Sequence, residues 1–568
     1  MKRLILINIF VVTAVSVAFA QIKSNLKEVE PFSIKRGSTF TASGGSPNAG
    51  SGNDASYSKP SGIASDILEA KKIISANFFG AKLRDSEITQ NGIDGMLRSL
   101  DPHSNFHNAA EWKELLDEQR SGYTGMGASI ANFELDGVND TYILSTFPSS
   151  PASRAQLRFG DKIVAIGGEK MTGKSSDFVR DKIRGTLGTS FRLTVERSAT
   201  RRIEVIEIRR NRVPQPSIPD AYILRPGIGY IALSEGFNYT TSDELDAAMR
   251  ELKAQGMRSL ILDLRGNGGG IVDQAVKVAE KFLPAGTLIL TQRGRSRIDN
   301  RAWRSANLAP DQTPLVVLVN EETASASEIV AGAFQDDDRA LIVGDKTFGK
   351  GLVQSVIDLP GRTGLTLTTG RYLTPSGRSI QRDYSKGDSY DYFNHRSATS
   401  AIDSPFFEAR TLTDRKVFGG DGIQPDETVS SETLTAIQFS LLDPLFAFTR
   451  ELVNGRIAGP ELYRPALFSY GKKIAPGDFV VSENFLKAFI HFVETKTDGK
   501  FVNNLSRESD FIKLRLRYYI VMAAHGSVSA NQVLIEDDPQ VAKAVQTLPL
   551  AAQLAAKARQ SNIPAGSQ

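Results

Sequence analysis

From residue 227 onward, short apolar segments alternate with segments of helical periodicity, and this alternation constrains the fold more than any other feature. Four segments have the length and apolar character of strands, namely 229–233, 259–264, 315–319 and 340–343. Three segments between them have helical periodicity, namely 242–254, 271–282 and 327–335. Strands separated by helices usually pair side by side in the same direction. The pattern therefore predicts an α/β domain with a largely parallel sheet.

Composition places the chain among globular proteins. Its 568 residues, of which 40% are hydrophobic, are enough for several buried cores. The formal net charge of +4 provides no basic field of the kind that binds nucleic acid. Because cysteine is absent, neither a disulfide nor a lipid anchor on cysteine is available.

The N-terminal segment 1–20 has the pattern of a secretory signal. Lys2 and Arg3 precede an apolar stretch over 4–17, and Ala18-Phe19-Ala20 forms a cleavage site before Gln21. We therefore expect a protein of the periplasm or cell envelope. A retained signal anchor is the alternative, but the apolar stretch is shorter than the ~20 residues that a spanning helix needs.

The rest of the chain divides into five predicted regions. In order, they are a flexible linker (21–62), an N-terminal helical region (63–117), a β-rich domain (118–211), the α/β domain (212–430) and a helical C-terminal region (431–568). The linker is assigned because half of the positions over 37–62 are Gly or Ser. The N-terminal region contains helical patterns over 63–78 and 87–100.

Alternating patterns predict the elements of the β-rich domain, and apolar stripes predict those of the C-terminal region. The β-rich domain has five strand patterns and one helix pattern, at 128–133, 141–147, 162–166, 191–196, 203–209 and 176–184. The C-terminal region has four helix patterns, at 436–452, 483–495, 510–524 and 540–559. We interpret the C-terminal stripes as packing or oligomerisation surface rather than as a site of chemistry.

Ser325 is a candidate nucleophile, because it lies between the apolar segment 314–320 and the next helix. Lys350 follows further along the chain among glycines, where it could accept the serine proton. The chain has only five histidines as alternative bases. Two plainer interpretations stay open: Ser325 or Ser327 caps the helix, and Lys350 is a solvated loop lysine. A catalytic lysine must be neutral, which burial would favour.

The glycine turn over 266–270 follows an apolar strand and precedes a helix. Its N–H groups could bind phosphate or stabilise an oxyanion. The dinucleotide pattern fails because residue 271 is Ile. The loop from Gly344 to Gly351 resembles a phosphate-binding loop, but Gly351 replaces the required hydroxyl and the apolar pattern over 352–359 predicts a strand. We therefore expect no nucleotide, no other cofactor and no metal.

Together with these residues, an ordered series of motifs resembles the C-terminal processing peptidases, also called tail-specific proteases. The resemblance extends over about residues 63–430. Its motifs are Gly95-Met-Leu97, Leu100-Asp-Pro-His-Ser104, Gly125-Met-Gly127, the PDZ-like 150–163, 262–270, Ser325-Ala-Ser-Glu-Ile329, 344–354, 371–381 and Gly422-Ile-Gln-Pro-Asp426. The resemblance implies a crotonase/ClpP-like protease core with an inserted PDZ domain and helical regions at both ends.

The resemblance also implies a role for individual residues. It makes Ser325 the nucleophile and Lys350 the general base of a Ser-Lys dyad, with Gln354 orienting the lysine. By the same analogy, Ala326 and Gly269 provide the oxyanion N–H groups. The PDZ-like domain would bind free, apolar substrate C-termini through the backbone of its loop, and Arg184 would couple that domain to the protease site. The loop residues are Tyr123, Thr124, Gly125, Met126 and Gly127.

The chain departs from the family pattern at two points. Gln156 replaces the usual Gly before the PDZ helix, and the C-terminal region exceeds what a minimal family member carries. We interpret His103 as structural. Partners implied are protein or peptide substrates with free C-termini, while a homo-oligomer through the C-terminal helices and an adaptor protein stay open. The competing hypothesis is a PDZ-bearing binding or adaptor protein whose protease domain is inactive.

Overall fold

The computed structural model describes residues 60–80, 84–385, 392–393, 408–457, 468–496 and 505–561. The predicted signal and nearly all of the linker lie outside these ranges. No helix within them is both long and apolar enough to cross a membrane. The chain forms two compact units, which are described separately. Of the described residues, the smaller unit contains those from Pro60 to Trp112 together with Gln354–Thr368, and the larger contains those within Lys113–Val353 and Thr369–Gln568.

The smaller unit is built on two helices, α1 (Pro60–Asn77) and α2 (Asp85–Arg98), which confirm the two N-terminal helix predictions. Helix α2 ends shortly before Asp101, whose carboxylate Oδ1 accepts the backbone N–H groups of His103 and Ser104 at 2.8 and 2.9 Å. This side-chain turn replaces the helical hydrogen bonds. Strand β1 (Asn105–His107) follows and pairs antiparallel with residues 364–366.

Helix α3 (Ala109–Gln119) leads into the predicted β-rich domain. All five predicted strands and the predicted helix of that domain are confirmed. Its elements are β2 (Gly122–Gly125), β3 (Ala128–Leu135), β4 (Val138–Thr146), α4 (Pro151–Arg154), β5 (Lys162–Ile166), β6 (Glu169–Lys170), α5 (Ser176–Ile183), β7 (Ser190–Glu196), β8 (Ile203–Arg209) and β9 (Asn211–Pro214). The main sheet is antiparallel in the order β3-β4-β5-β7-β8, so β3 lies at its edge. β2 pairs with β9.

The central sheet of the larger unit confirms the predicted α/β domain. Its strands and helices are β10 (Asp220–Arg225), β11 (Ile228–Ala232), α6 (Thr241–Ala254), β12 (Ser259–Asp263), α7 (Val272–Glu280), β15 (Leu315–Val319), α8 (Ala326–Asp336), β16 (Leu341–Gly344) and β21 (Glu427–Thr428). The order is β10-β11-β12-β15-β16-β21, and only β10 and β11 are antiparallel. Every residue of β15 is fully buried, as expected for a parallel strand covered on both faces.

Shorter strands complete the protease region. They are β13 (Leu288–Gly294), β14 (Arg301–Arg304), β17 (Leu352–Leu359), β18 (Thr363–Leu373), β19 (Glu408–Arg410) and β20 (Lys416–Phe418). β13 pairs antiparallel with β14 and with residues 370–373 of β18. The strand predicted over 352–359 is confirmed with its bounds unchanged.

Six helices are described in the C-terminal region: α9 (Ala436–Ser440), α10 (Leu442–Val453), α11 (Glu483–Lys496), α12 (Ser509–His525), α13 (Ser527–Glu536) and α14 (Pro539–Ser561). Three of the four predicted helices are confirmed. The single helix predicted over 436–452 is instead two helices that meet at Leu441. The cause is Pro444, which has no N–H for the Ser440 carbonyl and whose ring clashes with it.

The apolar faces of these C-terminal helices are buried within the chain itself. Phe446 of α10 stacks on Phe133 of β3, with ring centroids 3.8 Å apart. Arg450, also on α10, donates to the Gly160 carbonyl at 2.7 Å. Helix α14 covers one face of the central sheet, through Val541, Ala544, Leu548 and Ala551. Helices α6, α7 and α8 pack on the opposite face. The C-terminal region therefore packs on both the β-rich domain and the central sheet.

Candidate active site

Ser325 lies at the N-terminal end of α8, where it occupies the cap position in a strained conformation. Its backbone has φ 57° and ψ −115°. Such a conformation costs a non-glycine residue on the order of 1–3 kcal/mol and persists only where neighbours enforce it. Here the Ser325 N–H donates to Glu328 at 2.8 Å, and the Tyr372 hydroxyl donates to the Ser325 carbonyl at 3.0 Å. These bonds fix the serine backbone on both sides.

Of the two serines predicted as the helix cap, Ser325 occupies the cap position and Ser327 does not. The residue lies within α8, and its hydroxyl donates to the Asn267 carbonyl at 2.9 Å. The Ala324 N–H donates to the same carbonyl at 3.0 Å. The start of the helix is thereby tied to the glycine turn.

Glu328 connects the serine loop (320–325), which precedes α8, to the lysine loop (344–351), which precedes β17. Its carboxylate is fully buried and accepts four hydrogen bonds. The donors are Ser325 N–H, Thr347 Oγ1, Gly349 N–H and Lys350 N–H, at 2.8, 2.5, 2.8 and 2.9 Å. Burial raises the pKa of the Glu328 carboxyl, while the four donors oppose that rise by favouring the carboxylate.

This carboxylate brings Ser325 and Lys350 together. Both backbone N–H groups bond the same oxygen, Oε2 of Glu328, at 2.8 and 2.9 Å. The separation of the two backbone nitrogens therefore cannot exceed the sum of these two hydrogen bonds. Both residues are partly buried, so each keeps some access to solvent. Residues that are distant in sequence are thus neighbours in space.

The glycine turn lies directly against Ser325. A methyl group placed on Gly269 would lie 2.8 Å from Ser325 Cβ and 2.9 Å from the Ala326 nitrogen. However, the Gly269 N–H already donates to the Asn267 side chain at 2.9 Å, so it is not available as the oxyanion donor assigned from sequence. The N–H groups of Gly268, Gly270 and Ala326 bond no acceptor among the described residues.

Replacement of Gly269 by Ala is expected to lower cleavage activity by about 10- to 100-fold, because the added methyl displaces the backbone next to Ser325. Gly256→Ala is the matched control: Gly256 has φ +89°, similar to +105° at Gly269, but nothing lies within 4 Å of an added methyl. Steady-state kinetics and thermal unfolding of both variants distinguish the effect of the methyl contact next to Ser325 from the effect of backbone strain, which both variants share. Equal activity in the two would contradict the close approach at Gly269.

Gln354 belongs to the smaller unit, where its side-chain amide donates to the His103 carbonyl. The orienting role assigned to Gln354 stays a prediction. His103 itself is buried, and its backbone N–H donates to the Asp101 carboxylate. This placement accords with a structural rather than a catalytic histidine.

The loop over 344–351 differs from a phosphate-binding loop in the element after it and in the bonds it makes. β17 begins directly after this loop, whereas a phosphate-binding loop opens a helix. Within the loop, the Thr347 hydroxyl and the Gly349 N–H are both used by Glu328. In the described part of the chain, no group of three or more His, Asp or Glu side chains is placed to hold a metal ion.

The predicted peptide-binding loop runs from Tyr123 to Gly127 at the start of β3. The carbonyls of Met126 and Gly127 accept bonds from within the β-rich domain, at 2.8 Å from Ala152 N–H and 2.9 Å from the Ser150 hydroxyl. In contrast, the Met126 and Gly127 N–H groups bond no described residue. Two adjacent unpaired N–H groups beside an edge strand suit a terminal carboxylate followed by an added strand.

Arg184 follows α5 and contacts this loop. Its guanidinium lies 5.0 Å from the centre of the Tyr123 ring and pairs with Glu114 of α3. Burial lowers the pKa of Arg184 to about 10, which still leaves it charged at neutral pH. The coupling role assigned to Arg184 stays a prediction, and the structure shows its contact with Tyr123.

Two further site residues were missed in the sequence. Glu328 lay within a quoted motif but received no role, although Ser-x-x-Glu before an apolar helix is a known capping signature. Tyr372, fully buried, is far along the chain from the serine carbonyl that it binds. No local pattern could have revealed Tyr372, because its contact depends on the pairing of β18 with β13.

Comparison with known proteins gives two matching families and several relatives. Peptidase family S41 matches residues 227–390, and the PDZ domain family matches residues 148–197. The carboxy-terminal-processing protease of Bartonella bacilliformis is 37% identical over 303 residues, which are 52% of this chain and 68% of that protein. The carboxyl-terminal-processing protease of a Picosynechococcus species is 30% identical over 314 residues, covering 55% and 74%.

A third relative and one solved structure are also similar. The probable CtpA-like serine protease of Staphylococcus epidermidis is 32% identical over 302 residues, or 53% of this chain and 60% of that protein. Among solved structures, the photosystem II D1 C-terminal processing protease is 27% identical, with 64% of this chain and 92% of that chain covered and a TM-score of 0.33.

These matches define the class: the chain is a serine peptidase of family S41 that carries a PDZ domain. It belongs to the family of carboxy-terminal-processing proteases, as the ordered motifs implied.

Proposed function

We propose that the protein is an exported endopeptidase that recognises free apolar C-termini through its PDZ domain and cleaves proteins with a Ser325–Lys350 dyad. The observation that supports the dyad most strongly is the shared Glu328 oxygen, which holds the Ser325 and Lys350 backbones side by side through bonds of 2.8 and 2.9 Å. Export rests on the sequence of residues 1–20, which lie outside the described ranges.

The proposed reaction begins when the Ser325 hydroxyl oxygen attacks the scissile carbonyl carbon while its proton passes to the neutral Lys350 amine. The resulting oxyanion is stabilised by the Ala326 N–H and by an unpaired N–H of the glycine turn, from Gly268 or Gly270. When this tetrahedral intermediate collapses, the peptide C–N bond breaks and Lys350 gives its proton to the leaving amine. Water then hydrolyses the ester on Ser325, which releases the N-terminal part of the substrate with a new C-terminus.

Recognition is proposed to occur at the loop from Tyr123 to Gly127 and along β3. The free N–H groups of Met126 and Gly127 would hold the substrate carboxylate, and the unpaired edge of β3 would extend the sheet with the substrate chain. Main-chain hydrogen bonds of this kind accept many sequences, so the apolar terminal side chain would supply the selectivity.

The test compares one unstructured substrate protein with three ends: an apolar tail, the same tail as a C-terminal amide, and an acidic tail. We expect kcat/KM to fall by at least about 10-fold for the amide and acidic ends, since each 1.4 kcal/mol of lost binding is tenfold. The affinities of the three ends for Ser325→Ala protein, measured by fluorescence anisotropy, should follow the same order as kcat/KM. Equal cleavage of all three ends would contradict recognition of the C-terminus.

The adaptor hypothesis predicts a different result in the same assay. An adaptor would bind the three ends with the same order of affinity, but it would release no peptide product. Cleavage by wild-type protein that disappears in Ser325→Ala protein would therefore exclude it. A homo-oligomer through the C-terminal helices stays a prediction, although their apolar faces are buried within the chain.

A further inference from the structure

We propose that Asp538 and Gln540, at the start of α14, are positioning residues of the protease site. Both bind Arg265, which directly precedes the glycine turn, and Gln540 also binds Asp345, which directly follows β16 in the loop that holds Lys350. This inference rests on the proposed function, and it gives the long C-terminal region a part in catalysis.

On the glycine-turn side, the link is Arg265, which directly precedes the turn. Its Nε and Nη2 donate to Asp263 at the end of β12, at 3.0 and 2.6 Å. Its Nη1 donates to Asp538 at 2.6 Å and to Gln540 at 2.8 Å. The guanidinium therefore joins the end of a central strand to the start of α14. A planar group bonded on both sides has little freedom to rotate.

On the lysine-loop side, the link is Asp345, the first residue after β16. The Gln540 amide Nε2 donates to Asp345 at 3.0 Å and to the Val429 carbonyl at 2.7 Å. Its Oε1 accepts a hydrogen bond from Arg265. Both polar groups of the Gln540 side chain, the oxygen and the NH₂ group, are therefore hydrogen-bonded. Gln540 is 1% exposed, which makes each of these bonds costly to leave unmade.

Asp538 also explains why α14 begins at this point. Its Oδ1 accepts the N–H groups of Gln540 and Val541 at 2.8 and 3.1 Å, as a helix cap does. Its Oδ2 is the oxygen that pairs with Arg265. One carboxylate thus caps the helix and holds Arg265. The start of α14 therefore helps to position the residue that precedes the glycine turn.

Docking of α14 does not itself require these polar contacts. The helix is held on the central sheet by four buried apolar side chains: Val541, Ala544, Leu548 and Ala551. Removal of the Gln540 amide therefore leaves the helix in place while each loop loses one of its hydrogen bonds to α14. Because a displacement of about 1 Å at a reacting group can cost about 100-fold in rate, a loss of restraint at both loops should reduce kcat.

The experiment compares Gln540→Met and Asp538→Asn with matched controls at two exposed positions, Gln553→Met further along α14 and Asp537→Asn next to Asp538. Methionine keeps the length of Gln540 without its hydrogen bonds, and asparagine keeps the cap oxygen of Asp538 without the charge that pairs with Arg265. For both test variants we expect kcat to fall about 10- to 100-fold, with KM within about threefold of the wild-type value. The assay temperature is kept well below the unfolding temperature of each variant. The controls should match wild type.

Hydrogen–deuterium exchange gives a readout that does not depend on activity. Peptides covering 264–272 and 344–352 should exchange faster in Gln540→Met, while β15 should not change. Unchanged exchange in both loops, or kcat within twofold of wild type in both folded test variants, would overturn the inference. Wild-type protein without Ser325-dependent cleavage would instead overturn the proposed function, and with it the catalytic part of this inference.

Discussion

Replacement of Ser325 or Lys350 by Ala is expected to lower kcat for peptide cleavage by at least about 10⁴-fold, while tail binding to the PDZ domain is retained. Ser325→Ala removes the attacking oxygen, and Lys350→Ala removes the amine that accepts its proton. Lys350→Arg should be equally inactive, because a guanidinium keeps its charge at working pH and cannot act as a base. Single-turnover kinetics with a quenched peptide, together with tail binding by anisotropy, measure both properties.

Lys346→Ala is the control for the lysine variants. Lys346 lies on the same loop, is exposed and pairs with Asp421, so its loss should leave kcat within a few-fold of wild type. If Lys350→Ala and Lys346→Ala lost activity equally, loop damage rather than the loss of a base would be the cause. Substantial cleavage by both Ser325→Ala and Lys350→Ala would rule out the dyad.

Glu328→Gln is expected to lower kcat by at least about 100-fold and to destabilise the protein by about 2–4 kcal/mol. Glutamine has a similar shape, but its NH₂ group would face two of the four donors that now bond the carboxylate. The repulsion leaves buried donors unpaired and separates the backbones of Ser325 and Lys350. Steady-state kinetics and urea unfolding measure the two effects.

Glu321→Gln provides the matched control, because Glu321 lies in the same serine loop but is exposed. It should change neither activity nor stability measurably, since exposed substitutions away from such contacts have small effects. A Glu328→Gln protein with wild-type kcat would show that the four bonds to Glu328 are not what places the serine and lysine.

The sequence sufficed for features that depend on local pattern. The strand over 352–359 could be predicted with its bounds because its apolar residues lie between turn-forming glycines. The exception within a local pattern was the helix over 436–452, where the apolar stripe continues through Pro444 but the proline ends the first helix.

Features that depend on tertiary contacts could not be predicted in the same way. Sequence placed the glycine turn near Ser325, but it could not show that the Asn267 side chain would use the Gly269 N–H. Glu328 carries a capping signature, yet three of its four donors lie in the loop that holds Lys350, and they reach it only through the pairing of β15 with β16. The roles of Asp538 and Gln540 depend on α14 covering the sheet.

The position of α14 in the chain affects the order in which the protein matures. Asp538 lies far downstream of Lys350, so the ribosome synthesises both proposed catalytic residues well before the helix that supports their loops. Until then, Tyr230, Ile261 and Val316 lack their cover on one face of the sheet. We therefore expect a growing chain to stay proteolytically silent until this late segment folds back, which would protect the chain and its neighbours from premature cleavage during biosynthesis.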